Sequence, residues 1–175
     1  MSTDTLNFIK GTDQSQQDHA YSYRAGLNYV FDWGLSPYVA YARSFQPTLG
    51  ITTAGAAVVP TTGEQAEVGV KYQPTGSNIL LTAALFNIVQ QNLTTPDLNH
   101  PVGGYVVQTG EARSRGAEFE ATASLTEGLK LVASYTYTDT SVTRTNTPSQ
   151  LGKRLIIMPM NQAALWADYT FQQGQ

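Results

Sequence analysis

The chain has 175 residues, of which 41% are hydrophobic and 13% charged, and its formal net charge is −3. That length suits one domain. The charge content is low against the roughly 25% of ordinary soluble domains, and the lack of any basic excess makes nucleic acid a poor partner. Cysteine is absent, which removes disulfide scaffolds, thiolate metal sites and cysteine nucleophiles together.

The opening MSTDTLNFIKG has no basic region followed by an apolar core, so it does not read as a signal peptide; an export signal is expected upstream. Leu6 to Ile9 form a possible strand end, and the polar run GTDQSQQD after it reads as part of a long loop. From Tyr21 a strict alternation sets in. Tyr21, Tyr23, Ala25, Leu27, Tyr29 and Phe31 share one face of an extended chain, and Ser22, Arg24, Gly26, Asn28 and Val30 share the other. After Asp32–Gly34 a second strand, LSPYVAYARSF, covers residues 35 to 45.

A third strand, residues 64 to 73, sets Ala66, Val68, Val70 and Tyr72 against Glu67, Gly69, Lys71 and Gln73. The turn signal PTGSN leads into NILLTAALFNIVQQ, residues 78 to 91. This fourth strand is apolar on both sides, so its register is ambiguous; Leu80, Ala84, Phe86 and Ile88 are grouped on one face, with Asn87 and Gln91 on the other. In residues 109 to 125, Ala117, Phe119, Ala121, Ala123 and Leu125 oppose Glu118, Glu120, Thr122 and Ser124. Past TEGL, Leu129, Leu131, Ala133, Tyr135 and Tyr137 oppose Lys130, Ser134, Thr136 and Thr138. The last strand, from about Gln162 to Phe171, sets Ala163, Leu165, Ala167, Tyr169 and Phe171 against Gln162, Asp168 and Thr170.

Helical periodicity is missing, and no apolar run approaches the ~18 residues of a transmembrane helix. The fold class is therefore all-β, an antiparallel meander of about seven strands. Its connections sort by length. Asp32–Gly34, Pro74–Asn78 and Thr126–Gly128 are short, whereas Gln46–Gly63, Asn92–Gln108 and Val142–Asn161 are long, and the two kinds strictly alternate. In a meander this places all short turns at one end, which is the pattern of outer-membrane barrels. Tyrosines and phenylalanines gather near strand ends on the apolar face, as two girdles would require.

Alternation alone also fits a soluble β-sandwich, whose loops have no reason to sort so cleanly. Arg43, Arg113 and Arg115 sit against the membrane reading, because the simplest register puts them on the apolar face. Near the long-loop rim they would meet anionic lipid headgroups; a bulge at Ser114–Gly116 would instead turn the latter two inward.

The run YSYRAGLNYVFDWGLSPYVAYARSFQPTLG resembles a segment of the TonB-dependent ferric-siderophore receptors, in particular the hydroxamate branch typified by ferrichrome receptors. So do PTTGEQAEVGVKYQP, LTAALFNIVQQN, TGEARSRGAEFEATASLTEGLKLVASYTYTD, and GKRLIIMP followed by NQAALWADYTF, in the family's order from about Tyr21 to Phe171. The resemblance implies part of a 22-stranded transmembrane β-barrel in the bacterial outer membrane, closed by a plug domain, with uptake of a ferric siderophore energised through the TonB complex. Residues 1–175 would be a partial barrel domain, with the plug and the C-terminal strands outside it. Membrane lipid and lipopolysaccharide are the other implied partners. A passive, porin-like barrel is the alternative.

In such receptors the ligand is held by aromatic and polar side chains of the inner wall and extracellular loops. Here the candidates are Phe45, Gln46, Tyr105, Arg144 and Arg154, all near the long-loop end, and for each an ordinary loop or girdle role competes. Tyr105 stands out because Gly103 and Gly104 give its loop room to present a ring. His19 and His100 lie far apart in polar sequence and offer no metal-ligand spacing. No cofactor is expected to bind the protein directly, since iron would arrive already chelated. Asn92-Leu93-Thr94 matches a glycosylation sequon and is discounted as a chance occurrence. Glu118 and Glu120 share a strand face, but no nucleophile or oxyanion motif accompanies them, so no enzymatic activity is expected.

Overall fold

The computed structural model describes residues 2–7, 12–17, 20–100, 102–155 and 158–171. His19, Phe8 and Ile9 of the expected strand end, Ile156 and Ile157 of the GKRLIIMP tract, and residues 172–175 lie outside the described residues. The described chain forms nine strands and a single 3-10 turn at Pro148–Gln150. β1 (Ser2–Asn7) and β2 (Thr12–Gln17) pair with each other antiparallel, so part of the segment read as loop is a hairpin.

The remaining strands make one antiparallel sheet in chain order. They are β3 (Tyr23–Asn28), β4 (Leu35–Gln46), β5 (Thr61–Tyr72), β6 (Ile79–Pro96), β7 (Val106–Ser124), β8 (Leu129–Arg144) and β9 (Asn161–Tyr169). The seven-stranded meander matches the sequence reading. β6 runs five residues past its expected end and β7 begins at Val106, so the loop between them is shorter than read; β8 runs on to Arg144, which shortens the loop to β9. The extension was hidden because NLTTP and TSVTR carry no apolar alternation; strand pairing above the apolar band needs only backbone partners.

Cross-strand partners share a face, so the register sorts every side chain. One row of the apolar face runs Leu27, Val39, Val68, Leu85, Ala117 and Tyr137; another runs Pro37, Val70, Ala83, Phe119, Tyr135 and Ala163. The opposite face carries Tyr38, Gly69, Ala84, Glu118, Thr136 and Gln162 in one row and Ser36, Lys71, Thr82, Glu120, Ser134 and Ala164 in the next. The grouping of Leu80, Ala84, Phe86 and Ile88 holds. The register puts that group on the polar face, however, and the apolar face of β6 is Ile79, Leu81, Ala83 and Leu85. A strand with two greasy sides is read correctly only against its neighbours.

The sheet has almost no core of its own. Among the described residues only Val58, Ala84 and Ala112 are buried hydrophobics, whereas Leu27 is 74% exposed, Leu85 59% and Leu165 75%. A sandwich would cover such a face with a second sheet; a face this apolar and this open demands a nonaqueous surrounding.

Short turns close one end. Gly34 takes φ +93° in the β3–β4 turn and Gly76 takes φ +76° in the β5–β6 turn. These are left-handed values that glycine adopts without strain. The two turns dock on each other: the Gln73 N–H donates to the Gly34 carbonyl at 2.9 Å, and the Thr75 hydroxyl to the Asp32 carbonyl at 3.1 Å. An aromatic ladder covers the same end, with Tyr29–Phe31, Phe31–Trp33 and Trp33–Tyr72 ring centroids 4.7, 5.7 and 6.1 Å apart. Tyr169 and Phe171 meet edge to face at 4.7 Å.

Candidate functional site

The long-loop end and the polar face are where chemistry is concentrated. On the polar face the Tyr38 hydroxyl donates to Glu67 at 2.6 Å, and the Gln65 amide donates to the other Glu67 oxygen at 3.0 Å. Lys71 stands 5.5 Å from the centre of the Tyr38 ring, within cation–π range. Two rings pack beside glycines of the neighbouring strands. A Cβ on Gly69 would come within 2.6 Å of the Tyr38 ring, and one on Gly116 would meet the Tyr137 carbonyl oxygen as well as Phe86 at 2.8 Å. The wall is thereby kept low where a larger residue would lift the rings off it.

Charge is zoned along the strands. On the polar face of β4–β8 every charged position, Glu67, Lys71, Glu118, Glu120 and Lys130, lies from the Glu67 row toward the short-turn end. Above that row the polar face offers Ala42, Ser44 and Gln46 on β4; Gln65, Gly63 and Thr61 on β5; Ile88 and Gln90 on β6; Ser114 and Ala112 on β7; and Thr140 and Val142 on β8. None is ionisable; on β3, Arg24 faces Ala42 from the edge strand.

On the apolar face the order is reversed. There the charges crowd the long-loop end, as Arg43 beside Glu64 at 3.8 Å and Arg115 beside Asp139 at 3.4 Å. β7 pairs without interruption from Ala112 to Ser124, so no bulge turns Arg113 or Arg115 inward. They stand on the outward face toward the long-loop end, opposite Val89 and Asn87 of β6.

The first and third long loops are tied to the extended ends of β6 and β7. Gln108 grips Val59 through both amide atoms, accepting from its N–H at 2.7 Å and donating to its carbonyl at 2.5 Å. Val58 is fully buried beside Gly50. Asn92 adopts φ 58° at a register shift in β6 and donates to the Pro60 carbonyl at 3.2 Å, which engages the sequon amide within the fold. Asn146 reaches across from the third loop, accepting from Thr95 at 2.7 Å and donating to the Pro96 carbonyl at 3.3 Å. Asp97, itself buried, accepts from the Asn99 N–H at 3.0 Å and contacts His100 Nδ1 at 3.1 Å. The backbone N–H of Asn99 first, and His100 beside it, hold the Asp97 carboxyl below its ordinary value against the opposing effect of burial.

Sequence reasoning missed these contacts of Gln108, Asn92 and Asn146, since isolated amides carry no motif. The five candidate residues do not converge on one point. Gln46 occupies a polar-face position opposite Thr61, whereas Phe45, opposite Thr62, has the outward register. Arg144 pairs opposite Glu111 beyond a register shift and so shares that outward row. Tyr105 lies over Gly103, and its carbonyl accepts from the Asp97 N–H at 3.0 Å. Arg154 donates to the Thr138 carbonyl at 3.4 Å. Among the described residues no three His, Asp or Glu side chains gather as a metal set.

The family described as TonB dependent receptor-like, beta-barrel, matches residues 1–175. The chain belongs to the TonB-dependent receptor β-barrel family. It is 40% identical over 177 residues to the ferrichrome outer membrane transporter/phage receptor of Escherichia coli K12, covering 98% of this chain and 22% of that protein. With the ferrioxamine B receptor of Salmonella typhimurium LT2 it shares 39% identity over 153 residues, 87% of this chain and 21% of the relative. The chain thus spans about a fifth of the length of these relatives.

The fold likeness is equally direct. The crystal structure of the ferric preacinetobactin receptor BauA from Acinetobacter baumannii superposes with a TM-score of 0.75 at 23% identity, covering 99% of this chain and 26% of that one. The ferripyoverdine receptor of Pseudomonas aeruginosa gives 0.75 at 20% identity, covering 94% and 22%. In a TonB-dependent receptor barrel the apolar face meets lipid, the polar face lines the lumen, and the short turns are periplasmic.

Proposed function

We propose that this chain is part of the wall of an outer-membrane receptor that takes up a ferric siderophore with energy delivered through the TonB complex. The observation that carries the reading is the 40% identity to the ferrichrome transporter, sustained over 98% of the chain. In this reading the seven-stranded sheet is a section of a 22-stranded barrel closed by a plug domain, which lie beyond the strands described. The barrel is a transporter, not an enzyme, and iron passes as a chelate, so the protein need not ligate the metal.

Gln46, Tyr105 and Arg154 are proposed as contributors to ligand capture around the extracellular mouth, whereas the outward register of Phe45 and Arg144 turns these two expected contributors away from the lumen. The hydrogen bonds that tie the first and third loops to β6 and β7 support that role, because a loop fixed beforehand cuts the ordering cost of binding. The outward Arg43, Arg113 and Arg115 are proposed to meet lipopolysaccharide phosphates, which suit guanidinium groups placed just above an apolar band. The test is uptake of radiolabelled ferric siderophores by iron-starved cells. Deleting the full-length gene abolishes uptake of at least one chelate, and so does deleting tonB. Uptake that continues without TonB would mark a passive barrel and overturn the reading.

A further inference from the structure

A pocket of about 350 Å³ opens at the extracellular end of β4–β6, with Ser44, Gln46, Thr61 and Gln90 around it and Gly63 beneath, and Phe45 and Thr62 complete its lining. Ser44, Gln46, Thr61, Gly63 and Gln90 hold lumen-side register positions. Gly63 is the floor: a Cβ there would come within 3.1 Å of the Ser44 hydroxyl and raise it. The Thr61 hydroxyl is already engaged with Thr48 at 3.0 Å and with the Asn92 carbonyl at 3.2 Å, which fixes that wall. Among the described residues the side chains of Ser44, Gln46 and Gln90 have no protein hydrogen-bond partner. They therefore present a hydroxyl and two amides, donors and acceptors together, at a site with no ionisable lining residue.

We propose that this pocket is a cargo-contacting subsite that takes an uncharged, amide- or hydroxamate-bearing arm of the ferric chelate. The inference rests on the receptor reading above and adds a place and a charge rule to it. Each hydroxamate brings one negative charge, so a ferric tris-hydroxamate core is neutral and exposes oxygens that accept from amides and hydroxyls. A ferric tris-catecholate core keeps an excess of negative charge and calls for cations, which this pocket lacks. The volume lies at the small end of the roughly 300–1,000 Å³ of ligand sites, which fits one arm rather than a whole chelate.

The experiment is chelate binding to the purified full-length receptor, followed by calorimetry with ferrichrome as the neutral tris-hydroxamate probe. Gln46→Ala and Gln90→Ala each weaken binding by roughly 2- to 10-fold, the loss of a neutral hydrogen bond. Gln90→Glu, which sets a carboxylate against the hydroxamate oxygens, weakens it by more than either. Ser134→Ala, on the same strand face toward the periplasmic end, leaves the affinity unchanged. All variants are checked for the heat-shifted electrophoretic band of a folded barrel, so that a loss of binding is read only from folded protein. Wild-type affinity in all three glutamine variants would overturn the subsite while leaving the receptor reading intact. A wild-type receptor that binds no ferric chelate of any class would sink the receptor reading and the subsite with it.

Discussion

Asp97 shows how one side chain can set the state of an extracellular loop. Its carboxylate accepts the Asn99 N–H and faces His100, so the folded loop prefers the ionised form. The sign follows from linkage. A group whose folded value is depressed stabilises the fold at pH above its unfolded value and loses that contribution as pH falls through the folded value. The turn from Asp97 to His100 is therefore expected to hold at neutral pH and to loosen only below the ordinary value of 3.8. Limited proteolysis of the intact receptor across pH, with an acid-active protease, would report this as cleavage within residues 97–105. Asp97→Asn should be cleaved equally at all pH values, and cleavage of the wild type that did not change with pH would refute the linkage. Nothing in the sequence DLNH announces the turn, because the carboxylate acts through backbone partners that only the folded loop supplies.

At the scale of the strand, alternation was legible and its boundaries were not. Residues such as Val68, Phe119 and Leu165 announce the apolar face directly, and the short turns are marked by Gly34 and Gly76. β6 defeated the pattern, since Leu80, Phe86 and Ile88 are as apolar as Leu81 and Leu85. Its facing is fixed by partners: Thr82 lies opposite Lys71 and Glu120, and Leu81 opposite Tyr72 and Ala121. The candidate site was less legible than the fold, because Ser44, Gln90 and Gly63 are ordinary residues until the register gathers them. The facing of β6 is open to direct test. Leu85→Arg in the full-length receptor puts a guanidinium into lipid in the row of Val39, Val68 and Ala117, away from both rims, and should cost about 2–4 kcal/mol. Thr82→Arg, on the opposite face of the same strand, enters the lumen beside Glu120 and should cost less than about 1 kcal/mol. Denaturant titration in lipid vesicles compares the two, and equal losses would mean the assigned faces are wrong.

At the scale of the whole molecule the seven-stranded sheet has two open edges. Among the described residues β3 and β9 each pair on one side alone, with β4 and β8 respectively, and no pairing joins them to each other. Each edge leaves a row of backbone N–H and C=O groups, and in hydrocarbon every such group left without a partner costs several kcal/mol. In water the same edges template association with other chains. The apolar face compounds the problem, since Leu27 and Leu165 next to the two edges are among the most exposed hydrophobic residues. Both difficulties vanish if further strands continue the sheet on either side until it closes, which is how barrels abolish edges. Residues 1–175 expressed alone and offered lipid vesicles should therefore give aggregated, protease-sensitive protein with no heat-shifted band on electrophoresis, whereas the full-length receptor gives that band. A monomeric, protease-resistant form of the isolated chain would mean that β3 and β9 can satisfy one another. The sheet would then be a small closed barrel in its own right, and the large-barrel reading would fall.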